Sequence, residues 1–136
     1  MKAIIVHGGA GDAKKESEIQ ERVNFMENVA SFGYSLLKDG KDAIGVAVSV
    51  VKMLEDHPLF DAGVGSYLNE EGFVEMDAGI MNGSNLSIGA VCSIRNIKNP
   101  IELARAVLEK SKANVLSGIG AEKFAKDCGI EFVPNY

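Results

Sequence analysis

The segment AIGVAVSVVKMLE, Ala43–Glu55, is apolar on nearly every face of the helix it would form. Such a helix cannot lie on a surface. It needs apolar neighbours on two sides, which layers of helix and sheet supply. Asp42 stands before it as an N-cap and Pro58 after it as a stop. The chain is therefore expected to fold in layers with this helix inside, packed against a sheet.

The flanking segments fit that plan. Ile4, Ile5 and Val6 are β-branched and read as a short buried strand, which runs into the glycine-rich loop HGGAG. Across residues 19–37, Ile19, Val23, Met26, Val29, Ala30 and Leu37 follow a helical period, and Gly40 closes the helix as its C′ residue. In NEEGFVEMD, Glu71 and Gly72 form a hairpin turn that feeds a strand, with Glu75 outside. NLSIGAVCSIRNI reads as a further strand, in which Gly89 marks a close backbone approach. NPIELARAVLEK is a helix with Asn99 as cap, Pro100 at its first position and Glu102 completing a capping box. Its inner face is Ile101, Leu103, Ala104, Val107 and Leu108. NVLSG is a short strand, 120–127 is a helix stopped by Gly129, and IEFVPNY is a short extended piece. No repeat or linker interrupts the order, so residues 1–136 form one domain or part of one. The ending PNY caps and covers nothing and reads as the start of a connection, as in a cleavage product or a chain that continues.

Composition narrows the function. With 46% hydrophobic and 24% charged residues, the chain has enough apolar content for a core. The net charge of −5 and the lack of a Lys/Arg run argue against nucleic acid or an anionic membrane as partner. MKAIIVHGG is too short for a signal peptide or a span. Cys92 and Cys128 lack metal-ligand spacing and read as thiols in a reducing, cytoplasmic setting. The sequence contains no threonine and no tryptophan, so no threonine of this chain can act in catalysis.

Taken alone, the polar residues leave several chemistries open. VHGGAGD follows a strand as a phosphate loop would, but it lacks the Lys-Ser/Thr ending and the spacing of such loops. A tight turn or an oxyanion-type loop suits it as well. His7 is either bonded to loop backbone or a helper near a site. Asp56, Asp61, Glu70, Glu71, Glu75 and Asp77 do not follow the EF-hand pattern. A loop rich in Gly and Ala can nevertheless turn successive carbonyls inward onto a hard cation.

Four motifs in order, IIVHGGAG, LEDHPLFDAGVGSYLNEEGFVEMDAGIMNG, GAVCSIRNIKNPIELARAVLEK and GIGAEKFA, resemble the plant-type L-asparaginase/isoaspartyl peptidase family over residues 4–129. Those enzymes are N-terminal nucleophile hydrolases. The resemblance implies an α/β fold, a four-layer αββα sandwich of which this chain is the N-terminal, α-subunit part. It implies a precursor that cuts itself before a threonine, and that threonine, on the β subunit, is then nucleophile and base. It also implies a dimer of αβ units, hydrolysis of L-asparagine and isoaspartyl dipeptides, and no cofactor for the chemistry. Same-family alternatives are a glycosylasparaginase or a threonine endopeptidase. A non-catalytic, binding-only fragment is the alternative of a different kind.

By position, the resemblance assigns a structural sodium ion to the backbone carbonyls of Leu54, Glu55, His57, Phe60, Ala62 and Val64. It sets the loop of His7, Gly8 and Gly9 near the cleavage point and Asp61 close to the nucleophile in a supporting role. Asp77 and the IMNG turn are read as architectural. Two positions depart from the family pattern: Asp61 stands where Asn is usual, and Asn82 where Asp is usual. A carboxylate accepts hydrogen bonds only, whereas an amide also donates, so the first departure touches chemistry.

Overall fold

The computed structural model describes residues 1–11 and 15–134. Asp12 of the glycine-rich motif, and Asn135 and Tyr136 of the ending, lie outside the described residues. The elements in order are α1 (Glu16–Lys38), α2 (Ala43–Glu55), a 3-10 turn (Gly63–Gly65), β1 (Met76–Asn82), β2 (Ser87–Ile94), α3 (Pro100–Lys110), β3 (Val115–Ser117) and α4 (Gly118–Asp127). The fold is mixed α and β, as the sequence implies. The strands form one sheet in the order β1-β2-β3, with β2 antiparallel to β1 and parallel to β3. The parallel step is made by crossing through α3, the usual way to join parallel strands.

α2 is set as expected at its start. The Gly45 N–H donates to Asp42 Oδ1 at 2.8 Å, and this bond holds the Asp42 carboxyl below its usual range. Gly40, at φ +86°, closes α1 with its N–H on the Leu37 carbonyl. The expectation that α2 lies against a sheet holds for one of its sides. It packs on α1 on one side and on α3 and the sheet on the other, where Val48 enters the sheet's core. Val46 and Val50 join Val29 of α1 in one cluster, where Gly33 makes room. A Cβ on Gly33 would stand 2.8 Å from Val50 Cγ2. Val48 belongs to the larger cluster with Ile80, Val91, Ile94, Leu103 and Val107.

The expected strand at Ile4, Ile5 and Val6 is extended chain without ladder bonds among the described residues. Alternation survives, since Ile4 and Val6 turn onto the α1–α2 cluster while Ile5 is exposed. A ladder needs a neighbouring strand, and the described residues place none at that edge. The capping box of α3 also fails. Asn99 Nδ2 donates to Asp56 Oδ1 (3.1 Å), and Glu102 pairs with Lys52. The Ile101 N–H is taken instead by Glu55 Oε1 at 2.9 Å, from the end of α2. Pro100 occupies the first turn as expected. The helix expected over 120–127 begins two residues earlier, at Gly118.

Local details hold the hairpin. Leu68 bridges Val74 around Gly72, which has φ +82°. Asp77 Oδ1 accepts from the Ser93 N–H (2.7 Å) where the β1–β2 register shifts, so Asp77 satisfies an amide the bulge leaves over. Asn82 Oδ1 accepts from the Ser84 N–H, a turn role. Gly89 lies directly beneath α3. A Cβ there would stand 2.3 Å from Ala104 O and 2.4 Å from Leu108 N, both backbone atoms that cannot swing away. Gly89→Ala is expected to push α3 off the sheet and destabilise the fold by at least ~1–3 kcal/mol, the usual cost of overpacking. Urea unfolding checks this; a change within ~0.5 kcal/mol, as for surface sites, would show that α3 is free to shift.

Candidate active site

The distant segments His7–Gly8–Gly9 and Asp61 meet around one cavity of about 430 Å³. Its wall also carries Gly11, Arg22, Leu54, Phe60, Ala62 and Tyr67. The contact is made possible by Gly8, where a Cβ would stand 2.7 Å from Phe60 Cε1 and 2.9 Å from Met26 Sδ. His7 Nδ1 accepts from the Gly9 N–H at 3.3 Å, so the ring braces its own loop while facing the cavity. Gly9, at φ +106°, supplies a backbone conformation that L side chains avoid. Asp61 Oδ1 accepts the Tyr67 N–H at 3.0 Å, which ties the carboxylate to the far end of the loop.

The chain from Leu54 to Ser66, which forms part of the cavity wall, winds tightly on its own carbonyls. The His57 N–H donates to Leu54 O, Phe60 N–H to His57 O, Ala62 N–H to Phe60 O and Gly65 N–H to Ala62 O. Each carbonyl keeps a second lone pair after such a bond. Two glycines allow the winding. A Cβ on Gly63 (φ +54°) would meet Glu55 O at 2.2 Å, and one on Gly65 would meet Phe60 O at 2.1 Å. Oxygens of Glu55, Pro58 and Phe60 are thus drawn onto the Gly63–Gly65 turn. Among the described residues no group of three or more His, Cys, Asp or Glu side chains is arranged to hold a metal ion.

His57 enters the sequence reading only through its carbonyl, yet its ring works too. It lies tilted against Phe25 with centroids 4.0 Å apart, meets Phe60 edge-on at 5.3 Å, and accepts the Leu59 N–H at Nδ1. The buried Glu55 is likewise more than a carbonyl carrier. Burial pushes its carboxyl up to about 7, against the opposing bond from Ile101.

The sequence reading misses Arg22 and Tyr67. Arg22 falls on the same helical face as Ile19, Val23 and Met26, so its spacing alone marks it as a cation drawn toward the apolar side. Its Nε is buried with no hydrogen-bond partner among the described residues. Tyr67 contributes its backbone N–H, which no side-chain motif signals.

Gly63→Val is expected to destabilise the chain by ~1–3 kcal/mol through strain alone, and by more through the clash with Glu55 O. His57→Ala should also cost stability, through the lost ring contacts, while leaving the carbonyl path intact. Thermal unfolding of both variants checks the pair. A neutral Gly63→Val would disprove the tight winding.

A family model described as asparaginase matches residues 1–136. The chain is 43% identical over 135 residues to a protein of Danio rerio named isoaspartyl peptidase/L-asparaginase, covering 99% of this chain and 43% of that protein. A Xenopus laevis protein of the same name is 48% identical over 132 residues, covering 97% of this chain and 42% of its own length. A plant-type L-asparaginase of Pyrococcus furiosus is 48% identical over 136 residues, covering 100% and 43%. The chain therefore spans about two-fifths of the length of these relatives.

Proposed function

The chain belongs to the asparaginase family, and from that premise we propose that it is the α part of an amide hydrolase acting on L-asparagine and isoaspartyl peptides. The observation that carries the reading is the meeting of the His7–Gly8–Gly9 loop with Asp61 at one cavity. The relatives' names supply the substrate class, since those proteins are called isoaspartyl peptidase/L-asparaginase.

In this proposal the nucleophile is the N-terminal threonine of a β subunit released from the same precursor. Its hydroxyl attacks the side-chain amide carbon while its own amine takes the proton. The C–N bond then breaks, ammonia or the peptide amine leaves with a proton, and water hydrolyses the aspartyl ester. Backbone N–H groups of a glycine loop such as 7–11 are suited to hold the developing oxyanion. Asp61 sits beside the threonine and orients its amine. Two αβ units pair, and the protein works in the cytoplasm. No helix among the described residues is long and apolar enough to cross a membrane.

The floor under that threonine would hold a sodium ion. The residues present fit one through the backbone oxygens of Leu54, Glu55, His57, Phe60, Ala62 and Val64, since hard cations prefer oxygen ligands. The close approach of the Glu55 and Phe60 oxygens to Gly63 and Gly65 supports two members of that set. When bound, the ion supplies charge to fix the loop and takes no part in the bond changes.

Asp61 provides the test. A carboxylate beside the threonine's amine favours the ammonium form, and a base must be neutral to accept a proton. In the intact enzyme, Asp61→Asn should move the acidic limb of kcat/KM for L-asparagine to lower pH and raise turnover near neutrality. One pKa unit corresponds to about 1.4 kcal/mol, so a half-unit shift is readable. An unmoved limb with unchanged turnover would remove Asp61 from the site, and no hydrolysis of either substrate by wild type would remove the function.

A further inference from the structure

We propose that the Glu55 side chain is a positioning residue for the ring of backbone oxygens that its own main chain helps to form, anchoring that loop to the first turn of α3. The inference rests on the cation reading above and assigns a part to a side chain that the reading uses only through its carbonyl.

The last turn of α2 grips the first turn of α3 at three points. Lys52 pairs with Glu102, Asp56 Oδ1 accepts from Asn99 Nδ2, and Glu55 Oε1 accepts from the Ile101 N–H. Their settings differ. The Lys52 and Glu102 side chains are each 35% exposed, where an ion pair counts for little. Glu55 is 3% exposed and its bond is buried. The first N–H groups of a helix have no acceptor within it, and Asn99 makes no side-chain cap. Glu55 fills that gap from 46 residues away.

The opposite end of the same residue faces the loop. Its carbonyl oxygen lies so near Gly63 that a Cβ there would sit 2.2 Å away. Glu55 is thus bonded to α3 through its carboxylate and packed against the Gly63–Gly65 turn through its carbonyl. α3 is itself seated on the sheet at Gly89, where its backbone leaves no room for a side chain. The corner of the loop therefore inherits the rigidity of the sheet. Without the carboxylate the corner would keep only the half-exposed ties of Lys52 and Asp56 to α3. Groups that orient metal ligands from outside typically change metal affinity 10–100-fold when lost, which sets the expected scale.

The experiment compares wild type with Glu55→Gln, Glu55→Ala and Glu55→Asp in the intact protein. Sodium chloride is titrated against choline chloride at constant ionic strength, and binding is read by ²³Na NMR and by the sodium-dependent rise in Tm. Gln keeps an oxygen for the Ile101 N–H, so its sodium affinity should stay within about twofold of wild type. Ala removes the acceptor and Asp withdraws it by one carbon, so both should weaken sodium about tenfold or more. A merely structural carboxylate would lower Tm in Ala and Asp equally with and without sodium, leaving affinity unchanged, and that result overturns the proposal. So does a loss in Gln as large as in Ala. If Ala does not fold, Asp decides. If wild type itself shows no sodium dependence, the cation reading falls and takes this proposal with it, an outcome distinct from variants that bind as wild type does.

Discussion

Val46 and Val48 stand two residues apart on α2 and belong to different cores. Val46 packs with Val29 beneath α1, and Val48 with the sheet and α3. Burying one such side chain is worth about 1.5–3 kcal/mol, so α2 holds the two halves together by apolar contact on both sides. Successive helical residues turn by about 100°, so rotating α2 by one position would lift both valines out and bring exposed Ala47 into a core. The direction in which α2 delivers its last turn is fixed by this, and Leu54 and Glu55 begin the tight loop from there.

Phe60 organises the loop beyond α2. It is 5% exposed, its ring receives the bare face of Gly8, and its carbonyl receives Gly65. The ring also lies within the aromatic group of Phe25 and His57. One side chain thus sets the height of the glycine loop above the wound carbonyls. Absence of a Cβ at Gly8, Gly63 and Gly65 is here a matter of space as much as of backbone angle.

Much of this was legible because it is local. The bounds of α2, its Asp42 cap, the Gly40 stop, the Gly72 turn and the close approach at Gly89 follow from residues near one another in sequence. The misses are non-local. Asn99 and Glu102 carry the right residue types for a capping box, but Asp56 and Lys52 compete for them across the α2–α3 contact. Ile4, Ile5 and Val6 favour an extended chain correctly, yet a strand also needs a partner edge. The meeting of His7 with Asp61 could not be read from spacing and came from the family resemblance. Arg22 was within reach, since its helical register with Ile19 and Met26 shows which way it points.

The N-terminal segment bears on how this chain meets other chains. Lys2 Nζ donates to the Leu37 carbonyl at the end of α1, and Ile4 and Val6 are tucked inward, so the segment is tied along the α1–α2 pair. Its exposed Ile5 and unladdered backbone make a ready template for any other extended chain. Any pairing at this edge, orderly or not, would use the same few residues. How long this edge stays uncovered would then bear on aggregation, independently of how stable the finished fold is.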